Sequence, residues 1–414
     1  MPDEARARPR LYTIPPSAPF LSTLASAVLK GDLPVPGGTK PDLLALPGAI
    51  IYLPTRRAVR ALRDAFLEAA GGRAVLLPSI RALGDPDEDE AIIFGGQGNA
   101  EEGFAGASGA RAIGPLERRL ALMRLVLSWS DVLRKSAVAS PEEYGPPPVS
   151  TPAQASYLAA DLGNLMDFIE SEEVDLCALE DLAPEEHAVH WQQTVKFLKI
   201  VTENWPAHLA EHGLVSPTAR RNALMDFEAA RLVASPPAGP VIAAGSTGTV
   251  PATARLLKVI ASLPNGAVVL PGLDFSLDPE SWASLSEHPE HPQTGMAELL
   301  IKLGATREDV TYVAGSEPGD QKQARLGLAS EVLRPAGETD RWQAFLQDDA
   351  APVRLTSGLA GLQTLETPTA HDEAEAIALV LREAIETPGK TAALITPDRT
   401  LARRVAARLK AYDL

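Results

Sequence analysis

The sequence predicts an α/β protein, a mostly parallel sheet interrupted by a large helical insertion. Short apolar runs of four or five residues alternate with amphipathic stretches in the first and last parts of the chain, the pattern of βαβ units. The runs Ala49–Leu53 and Pro240–Ala244 are apolar at nearly every position, as strands covered on both faces require. Between about 113 and 235, by contrast, apolar residues recur at helical spacing with little strand signal.

Taken in order, Leu11–Ile14 reads as the first strand, Pro15–Pro19 as its loop and Phe20–Leu29 as a helix. Ala49–Leu53 runs through Pro54 and Thr55 into a helix over Arg56–Ala70, and a third strand is expected at Ala74–Leu77. Residues 84–112 carry the acidic run Asp85–Glu90 and a Gly- and Ala-rich stretch, and read as a solvated loop. Leu116, Leu120, Met123, Val126 and Leu127 open the helical region, with further helices at about 152–170, 187–212 and 216–233. The strand Pro240–Ala244 then ends in Gly245-Ser-Thr-Gly248. A helix over Pro251–Leu263 follows, its proline in the first turn where the missing N–H is harmless. Further strands are expected at Ala267–Leu270 and Asp309–Val313.

Residues 335–361 read as a linker. A fresh unit follows, with strands at Leu362–Leu365 and Thr391–Ile395 and helices at Asp372–Ile385 and Thr400–Tyr412. Two parallel strands cannot cover both of their faces, so this unit reads as incomplete, the start of a second lobe in a split or truncated product. The expected divisions are 1–112, 113–235 (the insertion), 236–334 and 335–414.

Acidic residues outnumber basic ones by 54 to 38 in 414, a net charge of −16, which excludes a uniformly basic nucleic-acid coat. No apolar run reaches the roughly 18 residues of a membrane span, and the charged N-terminus lacks a signal-peptide pattern. A cytoplasmic protein is expected. The single cysteine, Cys177, cannot form an internal disulfide or a four-thiolate cluster, and its apolar neighbours suit a core position.

A phosphate loop needs Gly-x-x-x-x-Gly-Lys-Ser/Thr after the first strand. Here that place reads Ile14-Pro-Pro-Ser-Ala-Pro-Phe20, which has three prolines without N–H donors and no lysine. Gly245–Gly248 is better placed, at a strand end before a helix, and reads either as a ligand contact or as a tight turn. His208-Leu-Ala-Glu-His212 puts two imidazoles on one helix face, as inverted zinc hydrolases do, but no third ligand stands nearby, and a solvated helix end is the simpler account. Glu287–Pro292 reads as an exposed loop.

The basic features say more. Six arginines against Asp64 and Glu68 fall between residues 54 and 81. Thr55 and the helix start can hold a phosphate, with Arg56, Arg57 and Arg60 adding charge. Ser246 and Thr247 stand at a corresponding strand end, and Arg399, Arg403, Arg404 and Arg408 form a second cluster. Together these suit a track for a nucleic-acid backbone.

Six blocks, in order, carry a resemblance: Leu11–Phe20, Ile51–Arg57, Leu77–Asp85, Gly114–Arg119, Ala244–Thr253 and Val268–Asp274. They resemble AddB, the double-strand-break repair subunit of the AddAB helicase–nuclease, in its alphaproteobacterial form. The resemblance implies a RecA-like (P-loop NTPase-like) lobe with a helical insertion and the start of a second such lobe. It also implies an AddA-type partner that hydrolyses ATP, and DNA substrates that are duplex ends and single strands. In that family an iron–sulphur cluster and nuclease lie in a C-terminal domain, which would fall beyond Leu414. By position, Pro54–Arg57 resembles a helicase segment touching single-stranded DNA, Ile14–Phe20 occupies the Walker A place, and Ala244–Thr247 lies near the Walker B region. The degenerate phosphate loop departs from an active motor, so the expected role is non-motor. The alternative is a nucleotide-dependent enzyme with an atypical phosphate site at Gly245–Gly248.

Overall fold

A computed structural model describes residues 9–34, 44–83, 110–139, 151–174, 197–198 and 200–414. The chain divides into two compact units, Met1–Arg354 and Leu355–Leu414.

The first unit is built on a parallel six-stranded sheet. Its strands are β1 Leu11–Ile14, β2 Ile50–Leu53, β3 Ser79–Ala82, β6 Val241–Ala244, β7 Gly266–Pro271 and β8 Val310–Tyr312, in the order β3-β2-β6-β7-β1-β8. The first strand therefore lies inside the sheet, with Leu11 beside Val268 on one side and Val310 on the other. Alternation sends successive side chains to opposite faces. Tyr12, Ile14, Ile51, Leu53, Ile242 and Ala244 join the core under helices α1 (Phe20–Lys30) and α2 (Arg56–Ala69). Leu11, Tyr52, Val241, Ala243, Val268 and Leu270 join the opposite core, under α6 (Pro217–Ala234), α7 (Pro251–Ser262) and α9 (Thr294–Leu303). Both faces are covered, which is why these strands are apolar on both sides rather than alternating; the exception, the buried Thr13 of β1, donates its hydroxyl to the Leu270 carbonyl at 3.1 Å.

The expected third strand is displaced. Residues 74–77 are irregular and the ladder forms at Ser79–Ala82, where Ile51 pairs with Ile80. This strand lies at the sheet edge, and only Ile80 and Ala82 are buried, so a run of apolar residues was the wrong signal for it.

The insertion packs α3 (Pro115–Ala139) and α4 (Pro152–Glu172) around Leu122, Val126, Leu162, Met166 and Trp205. A π-helical turn, Ile200–Asn204, leads into α5 (Trp205–Glu211). The insertion is not wholly helical. Two-residue strands β4 (Arg111–Ala112) and β5 (Leu214–Val215) pair in parallel at its base, a ladder too short to leave a pattern in the sequence. Arg118 holds Asp167 at 2.8 Å and the Gly163 carbonyl at 3.0 Å, while Thr218 donates to Asp167 at 2.9 Å, joining α3, α4 and α6. The acidic run, Cys177 and the start of the 187–212 helix lie outside the described residues.

Residues 335–361, read as a linker, carry a 3-10 turn and the helices α11 (Arg341–Gln347) and α12 (Ala351–Leu359). The turn is anchored by ions. The nearly buried Arg334 contacts Asp278 at 2.6 Å and Glu331 at 2.6 Å, and Arg341 contacts Asp278 at 2.9 Å. Asp278 also caps α8 (Pro279–Ser284), accepting the Ser281 N–H at 3.0 Å. Burial pushes its carboxyl up, but the Ser281 N–H and Arg334 outweigh this and hold it well below the carboxylate range. A depressed carboxylate stabilises above its unfolded value of about 3.9 and loses that contribution as pH falls through the lower folded value. The stability advantage of the native chain over Asp278→Asn should therefore be full at neutral pH and shrink once pH drops below about 4. Urea midpoints between pH 7 and pH 2 measure this, and an advantage that stays constant would refute it.

In the second unit, α13 (Ala370–Glu386) packs on α14 (Arg399–Ala411) through Ala374, Ala378, Leu401 and Val405. The strands expected at Leu362–Leu365 and Thr391–Ile395 do not form, and Leu362, Leu365 and Ile395 stand largely exposed. A strand exists through its neighbour's ladder, and neither segment has one among the described residues.

Candidate nucleic-acid interface at the carboxyl edge of the sheet

The chain winds β1-α1-β2-α2-β3 in one direction along the sheet, then returns β6-α7-β7-α9-β8 in the other, with helices on opposite faces. At the neighbouring pairs β2/β6 and β1/β7 the chain thus leaves for opposite sides, and the crevice at the strands' carboxyl ends is where ligands of such sheets bind.

The β1/β7 crevice is closed by the chain itself. Pro16 packs on Gly272, so that a Cβ there would lie 2.9 Å from its ring. Beyond the ends of β2 and β6, Pro54 and Phe20 pack on Gly245, at 3.6 and 3.4 Å by the same measure. Ala18 donates to the Pro15 carbonyl at 3.0 Å, which turns that N–H inward, and Lys322 reaches the Ser17 carbonyl at 2.9 Å. The donors and lysine of a phosphate cradle are missing, so ATP does not fit here. Nor can one cysteine supply the thiolates of an iron–sulphur cluster.

Gly245 and Gly248 both adopt left-handed backbone, with φ of +78° and +64°. Gly248 also lies under Leu299, which a Cβ would meet at 2.6 Å, and donates to Ser246 Oγ at 3.2 Å. The glycines are explained by turn geometry and packing. Ser246 and Thr247 are half-buried beside this turn, with Thr247 and Thr249 against Gly295 in the first turn of α9.

Over β2 the surface is basic and open. Thr55 caps α2 by accepting the Ala58 N–H at 3.1 Å, so its hydroxyl is engaged in starting the helix. Arg57, Arg60 and Arg63 are exposed and make no hydrogen bond or ion pair among the described residues, whereas Arg56 is half-buried and already partnered. The structure thus brings Pro54–Arg57 together with Gly245 and Phe20 at one edge, with the unpaired arginines leading away along α2. No family model matches the chain, and no curated protein does.

Two other arginines of the basic stretch have structural work. Arg73 donates to the Ala70 carbonyl at 3.1 Å, and Arg81 meets Glu228 at 3.2 Å. Glu228, fully buried on α6, also takes Arg231 at 2.6 Å and the Tyr52 hydroxyl. Burial and the adjacent carboxylate push the Tyr52 phenol far above its ordinary value. This buried cluster was missed in the sequence, although a signal exists: Met225, Glu228, Ala229 and Leu232 recur at i, i+3, i+4, i+7, putting a charge inside an apolar stripe.

In the His208–His212 pentapeptide, the His208 ring stacks on Trp205 at 5.6 Å and His212 Nδ1 lies 2.8 Å from the His208 carbonyl. No group of three potential metal ligands occurs among the described residues. Within Glu287–Pro292, His291 is buried rather than exposed, its Nδ1 accepting the Gln293 N–H at 3.2 Å. In the second unit Arg408 is engaged by Glu375 at 3.0 Å, and Arg399, Arg403 and Arg404 are exposed.

Proposed function

We propose that this chain is a helicase-like, non-motor subunit of a bacterial DNA double-strand-break end-resection complex of the AddAB type, binding and guiding DNA beside an AddA-type ATPase. The observation that carries the reading is the stripe of exposed arginines, Arg57, Arg60 and Arg63, unpaired among the described residues, which leaves the carboxyl end of β2 in a chain of net charge −16. Cations without a partner among the described residues, at a sheet's ligand-binding edge, suit the phosphates of a nucleic-acid backbone. The doubly wound parallel sheet with its first strand inside supports a RecA-like lobe. The prolines and Phe20 packed over Gly272 and Gly245 support a scaffold role, with hydrolysis on the partner. Ser246 and Thr247 lie across the β2/β6 crevice and would add neutral hydroxyl contacts. The nucleotide-site alternative at Gly245–Gly248 gains no specific contact, since those glycines serve Leu299 and the turn.

The test is anisotropy of a labelled duplex with a single-stranded 3′ tail, followed against salt for the native chain and for Arg57→Ala/Arg60→Ala. Each lost phosphate contact lowers the salt slope by about 0.7–0.9, so the double variant should lose roughly one to two units of slope and bind more weakly. An unchanged slope, or no binding by the native chain at low salt, would remove DNA from this edge.

A further inference from the structure

His291 is a buried imidazole, 7% exposed, in the turn that leads into α9. Its Nδ1 accepts the Gln293 N–H at 3.2 Å, so that nitrogen carries no proton. The single ring proton therefore sits on Nε2, which is buried and makes no well-formed hydrogen bond. A second proton has one place to go, Nδ1, and there it would meet the Gln293 N–H donor to donor. The charged ring does not fit the turn as it stands.

Gln293 carries the consequence outward. Its side chain donates to the Gly272 carbonyl at 3.0 Å and accepts the Asp274 N–H at 3.1 Å. It thereby ties the start of α9 to the loop at the carboxyl end of β7. Other groups hold the rest of that loop. The Thr13 hydroxyl accepts the Leu273 N–H at 3.0 Å, and Arg307 donates to the Leu277 carbonyl at 2.7 Å. The loop thus has one attachment that depends on the protonation of the imidazole and others that do not. Loss of the first loosens the loop without dismantling the sheet.

We propose that His291 is an acid-sensitive latch: protonation of its ring displaces Gln293 and loosens the loop Gly272–Leu277 at the carboxyl end of β7. The groups that bear on the ring are Asp274 from the loop, His288 and Glu290 in its own turn, and the Leu333 backbone just past α10 (Asp320–Val332). Burial outweighs the two carboxylates and holds the imidazole below its ordinary range. A histidine depressed in the closed form stabilises that form above its released value of about 6.5 and gives up this contribution as pH falls. The latch is closed at neutral pH and weakens below about pH 6.5. It stands independently of the DNA reading.

Amide exchange of the full chain, followed by mass spectrometry between pH 7.5 and pH 5 and corrected for the intrinsic rate, tests this. Peptides covering 272–277 should exchange faster as pH falls, by up to about thirtyfold at pH 5, the limit set by a released imidazole near 6.5. Peptides covering Val241–Ala244, in the middle of the sheet, should not change. His291→Asn keeps an acceptor oxygen for the Gln293 N–H and cannot titrate, so its loop should stay slow throughout. Gln293→Ala cuts the link behind the imidazole, and its loop should be fast at every pH. A native loop whose corrected rate does not change with pH, or an acid acceleration that survives in His291→Asn, would overturn the proposal. Should that variant fail to fold, an acid acceleration that survives in Gln293→Ala overturns it as well.

Discussion

Replacing Glu228 by alanine should cost about 3–5 kcal/mol of stability in urea unfolding, the loss expected when one partner of a buried ion cluster is removed. The carboxylate has no exposed surface, and three groups converge on it: Arg81 from the edge strand, Arg231 one turn along α6, and the Tyr52 hydroxyl from inside the sheet. Its removal leaves the Arg81 and Arg231 guanidiniums facing each other without the carboxylate that holds them together, and takes from Tyr52 its hydrogen bond to Glu228. Tyr52→Phe is the informative contrast. It deletes the phenol's hydrogen bond to Glu228 while the ion pairs survive, and should cost only about 1 kcal/mol. If Glu228→Ala proves as mild as Tyr52→Phe, the cluster does not hold the insertion's last helix to the sheet.

Gly266→Ala should be as damaging, with a loss above about 3 kcal/mol, at the upper end of overpacking effects. A Cβ on Gly266 would lie 1.8 Å from the Ile260 carbonyl oxygen and 2.9 Å from Leu263 Cβ. Neither side can yield easily. Ile260 belongs to the last turn of α7, and Gly266 opens β7 in register with Val241 while donating to Leu263 at 3.0 Å. Gly337, where an added Cβ meets nothing within 4 Å, supplies the control, and its alanine variant should stay within about 0.5 kcal/mol of the native chain. Thermal midpoints of the two variants measured side by side check the contrast.

The central strands and the helices that follow them could be read from the sequence because burial on both faces writes itself as continuous apolar runs, as at Ile50–Leu53 and Val241–Ala244. The same signal failed where partners rather than side chains make the strand. Thr391–Ile395 is nearly as apolar as a true strand and Leu362–Leu365 carries a leucine at each end, yet a ladder depends on a neighbour that no local window can see. At the edge the opposite error arose, since Ser79–Ala82 carries a serine and an arginine on its half-covered positions. The start of α2 and its arginines could be read from the sequence, but Thr55, expected to hold a phosphate, has its hydroxyl engaged as the helix cap. It was not legible which of those arginines are free. Arg73 and Arg81 count toward the same basic stretch but are engaged by Ala70 and Glu228, the latter 147 residues away in sequence.

The inward place of the first strand governs how this protein can emerge from a ribosome. Leu11–Ile14 is made early, yet its partners are Val268–Pro271 and Val310–Tyr312, so more than half of the first unit must be synthesised before it has a neighbour. Contacts so distant along the chain make folding slow. In the interval the nascent chain carries a short, largely apolar segment with open hydrogen-bonding edges, the kind of surface that chaperones and aggregation compete for. Strands β2 and β3, with α2 between them, can pair as soon as they leave the exit tunnel. Assembly of the lobe therefore proceeds from one edge of the sheet, and its oldest strand is among the last to be locked in place.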